Sequence, residues 1–115
     1  MAPKQNDRFS AFTESLRESC DELTKKIGEF RASLPSLSRE TARLQKAYED
    51  RRDAEGIEYS PFDDEDCADW PELEAFRAAQ RNEIATRVEI EALLLSRRNL
   101  RVAIATREDQ EACVA

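Results

Sequence analysis

FSAFTESLRESCDELTKKIGEFRASLPSLSRETARL, the run from Phe9 to Leu44, decides how this chain folds. With Phe9 placed at position d of a heptad, the d series reads Phe9, Leu16, Leu23, Phe30, Leu37 and Leu44. The matching a series is Thr13, Cys20, Ile27, Leu34, Thr41 and Tyr48. A lone amphipathic helix does not hold a seven-residue repeat this long; a helix packed along another helix does. Asn6 or Asp7 can cap its start, the side-chain oxygen accepting from an amide that has no partner in the first turn. Gly56, after Asp53-Ala54-Glu55, suits the left-handed position that closes a helix.

Pro35 interrupts the run. It has no amide hydrogen, and its ring clashes with the carbonyl four residues back, that of Arg31. The heptad phase nevertheless survives through Phe30, Leu34, Leu37, Thr41 and Leu44, where a true loop would usually reset it. A kinked first arm is therefore expected, and a sharp turn at Pro35 is the alternative.

A second long helix is expected from Asp69-Trp70-Pro71-Glu72 onward. Asp69 can cap it, Pro71 suits its first turn, and Glu72 stands three residues after Asp69, as in a capping box. From there to Arg107 nothing breaks a helix, although Leu100, Val102 and Ile104 also alternate as in a short strand. Projected at 100° per residue, this helix is apolar on two sides. One stripe carries Leu73, Ile84, Val88, Leu95 and Val102, and the other Phe76, Ile90, Leu93, Leu94, Leu100 and Ile104. Two apolar sides need two covers. The first arm is expected to cover one. The face formed by Ile90, Leu93, Leu94, Leu100 and Ile104 is the expected contact with another molecule.

The fold expected is all-α: an elongated antiparallel helical hairpin with coiled-coil packing, its first arm kinked at Pro35. A three-helix bundle turned at Pro35 is the alternative. One domain spans residues 1–115. It comprises a first arm at 7–55, a connecting loop at 56–69, a second helix at 70–107 and a frayed tail at 108–115.

Composition narrows the chemistry. Charged residues form 37% of the 115, while only two glycines and four prolines occur, a profile of long helices. No apolar run approaches the ~20 residues of a membrane span, and the N-terminus lacks the apolar stretch of a signal peptide. An intracellular, cytoplasmic location follows as an expectation. The chain has no histidine, which excludes Ser–His and Cys–His nucleophile pairs and histidine-ligated metals. Cys20, Cys67 and Cys113 are too scattered for a zinc site or a disulfide framework, and simple thiols are expected, with Cys20 buried. With two glycines there is no phosphate-cradling loop. No cofactor, metal or catalytic residue is expected.

The net charge of −7 is concentrated in one segment. Residues 57–75 hold eight acids and no base, whereas the flanking stretches are nearly balanced. This segment interleaves Tyr59, Phe62 and Trp70 with Asp63, Asp64, Glu65 and Asp66. It reads as a solvated connection whose aromatics tuck against helix ends, or as a recognition segment in which aromatics anchor and carboxylates steer. The run 63–66 lacks the alternating ligands and the glycine of a calcium loop. Ser60 before Pro61 resembles a kinase site too short to carry a mechanism. Arg97, Arg98 and Arg101 are the densest basic spot, but acids accompany them, so direct nucleic-acid binding is not expected.

The reading that follows is a non-enzymatic protein–protein interaction module, an adaptor-like coiled coil that forms a homodimer or docks on a helical partner protein. Its alternative is a small acidic decoy presenting residues 57–75 to the basic surface of a nucleic-acid-handling protein.

Overall fold

The computed structural model describes residues 3–57 and 67–114, and the side chains of 10–57 and 67–113 within them. Two helices account for almost all of this: α1, Pro3–Ala54, of 52 residues, and α2, Pro71–Val114, of 44. They pack against each other as an all-α hairpin, and among the described residues there is no strand. The alternation at Leu100, Val102 and Ile104 lies within α2. So does the stretch expected as a frayed tail, since α2 continues past Arg107.

Pro35 lies inside α1, and helix continues on both sides of it. The three-helix alternative, which needs a turn there, does not form. Pro35 is exposed, so water can meet the Arg31 carbonyl that a proline cannot reach. Packed positions before and after it keep the helix in register, because packing rather than propensity supplies most helical stability.

α1 ends where the sequence places its stop. Gly56 has φ of 71°, a left-handed value that costs a residue with a Cβ about 1–2 kcal/mol. Its amide bonds the Asp53 carbonyl at 3.1 Å, and the Ile57 amide bonds that of Arg52 at 3.1 Å. This pair of bonds is the Schellman closure, which satisfies carbonyls left over at the helix end.

The start of α2 differs from expectation by one residue. Pro71 opens the helix, and the first intrahelical acceptor is the Trp70 carbonyl, bonded by the Glu74 amide at 3.2 Å. Trp70 thus holds the cap position and Asp69 precedes it, so no capping box forms. Glu72 turns instead to Arg51, which donates to it at 2.6 Å.

The chain packs as two compact units. The terminal unit joins α1 up to Phe30 with α2 from Glu89. The turn-side unit is Arg31–Val88. Both are antiparallel pairings. In the terminal unit Thr13 reaches Glu111 and Thr24 reaches Arg97; in the turn-side unit Ser38 reaches Glu83 and Arg51 reaches Glu72.

Among the described residues of α1, the fully buried ones all belong to the a series, whose Leu34 and Thr41 are half-buried. Thr13 is 0% exposed, Ile27 1% and Cys20 9% in the terminal unit, and Tyr48 is 5% exposed in the turn-side unit. The d residues Leu16, Leu23, Phe30, Leu37 and Leu44, expected to lead the seam, are half-buried and flank it.

Candidate protein-interaction surface

The turn-side unit is closed by an aromatic cluster. Tyr48, Cys67 and Leu73 are buried together, with Ile57, Trp70 and Phe76 packed around them. The Tyr48 and Phe76 rings lie 4° from parallel with centroids 6.5 Å apart, and Trp70 meets Tyr48 edge-on at 6.1 Å. Arg51 lies 4.3 Å from the centre of the Trp70 ring while it bonds Glu72. That hydrogen bond, followed by one from backbone, holds the Glu72 carboxyl below its ordinary range. Of the two readings of this segment, Trp70 follows the one in which aromatics tuck against helix ends, packing inside its own unit and not standing free as an anchor for a partner. Tyr59, Phe62, Asp63, Asp64, Glu65 and Asp66, the rest of the acidic and aromatic set, lie outside the described residues.

Further along the same unit, Ser38 donates to Glu83 at 2.8 Å and Arg87 donates to it at 3.1 Å. Ser38 first, then Thr41 and Arg87, lower the Glu83 pKa. Thr86 is buried and returns its hydroxyl to the Asn82 carbonyl at 2.9 Å.

In the terminal unit polar groups again bridge the helices. Thr13 donates to Glu111 at 2.9 Å, Arg17 donates to Glu108 at 2.5 Å, and the Arg107 guanidinium lies 4.2 Å from the centre of the Phe12 ring. The hydrogen bond that Arg17 donates to Glu108 raises the Arg17 pKa.

The structure exchanges the expected roles of the two stripes on α2. Ile90 is 7% exposed, and Leu93, Leu94, Leu100 and Ile104 are half-buried. These five, expected to face another molecule, sit on the side of α2 that carries Arg97, Arg107 and Glu111, the residues that reach α1. The other stripe is the exposed one: Leu95 and Val102 are 59% and 61% exposed in the terminal unit, and Ile84 and Val88 are 54% and 59% exposed in the turn-side unit. Only Leu73 of that stripe is buried, in the aromatic cluster.

A sequence signal for this exchange exists. Phe76, Ile90 and Ile104 fall on one heptad series, interrupted by Glu83 and Arg97, and Leu93 and Leu100 on the series beside it. Beside Val88, Leu95 and Val102 the neighbouring series holds Glu91 and Arg98.

Next to Leu95 a shallow open groove of about 450 Å³ is lined by Leu94, Arg97, Arg98, Arg101, Val102 and Ala105. Arg97 donates to Thr24 at 3.3 Å, whereas Arg98 and Arg101 form no ion pair among the described residues. All three cysteines are free thiols, Cys20 and Cys67 buried and Cys113 exposed. Among the described residues no three potential ligands gather as a metal site, and no helix is long and apolar enough to cross a membrane. Comparison with known proteins gives no match to a family model, a curated protein or a solved structure.

Proposed function

We propose that this chain is a non-enzymatic helical protein–protein interaction module that works through the outer side of α2. The observation that carries the reading is the exposure of Leu95 and Val102, 59% and 61%, on a helix whose opposite side is already occupied by α1. Scattered exposed apolar residues are ordinary. These recur at heptad spacing on one side of a long helix, which is the form in which helices present a seam to one another. Glu91 and Arg98 border them and supply the polar rim that gives a helical contact its specificity.

The test is the double variant L95E/V102E. Both residues lie outside the hairpin seam, so the helical circular dichroism and melting temperature should stay at wild-type values. Associations of the chain, with itself by light scattering or with another protein by co-purification, should be lost. A folded double variant that keeps every wild-type association would refute the reading.

A further inference from the structure

We infer that the groove beside Leu95, within the terminal unit, takes an acidic peptide segment of a partner protein, one that sets an apolar side chain between carboxylates. The inference rests on the interaction reading above and adds the chemistry of the partner.

α2 is locally basic although the chain as a whole carries −7. From Ala92 to Arg107 it holds four arginines and no acid. Arg97 is tied to Thr24, and Arg107 covers the Phe12 ring. Arg98 and Arg101 are exposed and form no ion pair among the described residues. Their neighbours one turn away on α2 cannot neutralise them. Arg98 has Leu94, Leu95 and Val102 there, and Arg101 has Arg97, Ile104 and Ala105.

These charges are interleaved with apolar groups. At ~3.6 residues per turn, Leu94 and Ala105 fall between Arg101 and Arg98 around the helix, and Val102 lies beyond Arg98 on the side away from Arg97. The same residues line the groove of about 450 Å³. Its occupant must therefore answer both characters. A second copy presenting the same patch would set arginines against arginines, since a two-fold contact brings each patch onto itself. A nucleic acid would use the arginines but leave phosphates over Leu94, Val102 and Ala105, and it would approach a chain of net charge −7. An acidic peptide with an apolar residue satisfies both. The apolar side chain covers Leu94 and Ala105, while one carboxylate meets Arg101 and another meets Arg98. A planar guanidinium can engage both oxygens of a carboxylate, which gives such a contact direction as well as attraction.

The experiment selects displayed random peptides on the immobilised full chain. The peptides recovered should carry aspartate or glutamate on both sides of an apolar residue. R98E/R101E should keep the wild-type helical circular dichroism and bind those peptides about tenfold or more weakly. Exchanging the acids of a recovered peptide for lysine should restore its binding to R98E/R101E. Recovered peptides without acids, equal binding by R98E/R101E, or a selection that yields no binder would each overturn the proposal. A DNA duplex or phosphatidylserine vesicles bound by the wild type and released by R98E/R101E would overturn it in favour of a phosphate-bearing partner. A wild-type oligomer that R98E/R101E dissociates in light scattering would overturn it in favour of a second copy. The interaction reading is tested apart from this. An association lost in L95E/V102E but kept in R98E/R101E refutes the acidic partner and leaves that reading standing.

Discussion

Tyr48 lies face to face with Phe76, the rings 4° from parallel and their centroids 6.5 Å apart, so the aromatic closure of the hairpin joins one residue from each helix. Tyr48 is 5% exposed and is also met edge-on by Trp70. Tyr48→Ala removes the shared member of both ring pairs and leaves a cavity the remaining rings cannot fill. The expected loss is about 3–5 kcal/mol in urea unfolding. A loss below about 1 kcal/mol would show that the cluster contributes little.

The two sides of α2 should answer the same substitution in opposite ways. Ile90→Glu puts a carboxylate where the native residue is 7% exposed, and should unfold most of the helical signal at neutral pH. Leu95→Glu should leave that signal within a few per cent of wild type. Equal melting temperatures for the two variants would contradict the assignment of the seam.

The two glycines should also diverge. Gly28 lies within α1 with open space where an alanine methyl would sit, so Gly28→Ala should stabilise by about 0.5–1 kcal/mol. Gly56→Ala meets no atom either, but its φ of 71° is left-handed, so it should destabilise by about 1 kcal/mol. Thermal melts of the pair give the two signs directly.

Acid should loosen the turn-side unit through Glu83. Its pKa is lowered in the folded chain, chiefly by the Ser38 hydroxyl. The stabilising effect is therefore present above the unfolded glutamate value of about 4.3, and disappears as pH falls through the lower folded value. Ser38→Ala should flatten the stability–pH curve in that acid window and leave its slope near neutrality unchanged. A wild-type slope retained by the variant would remove Ser38 as the cause.

The all-α hairpin was legible because Leu34, Leu37, Thr41 and Leu44 keep the phase set by Ile27 and Phe30, and Pro35 falls on the side that needs no partner. The Gly56 stop was legible for a local reason, since few residues accept a left-handed φ. The division of α2 into inner and outer sides was not. Long polar side chains such as Arg97 and Glu111 line its inner side, their stems covering apolar surface while their tips bond Thr24 and Thr13. Counted by residue type, they dilute the seam until Leu95 and Val102 look equally suited to it. For Trp70 the sequence leaves two readings open, an aromatic tucked against a helix end or a partner anchor. Its acidic neighbours in the sequence suggest an open surface, whereas in space its neighbours are Tyr48 and Arg51.

The antiparallel pairing also bears on the order in which the chain can assemble. Arg51 and Glu72 are 21 residues apart in sequence, whereas Thr13 and Glu111 are 98 apart. Closing the longer loop first would cost about 1.4 kcal/mol more in chain entropy. Folding should therefore start at the Tyr48 cluster and zip outward, with kinetic φ-values higher at Tyr48 than at Thr13. The cross-links nearest the termini then close last and open first, making that end of the hairpin the least protected against hydrogen exchange.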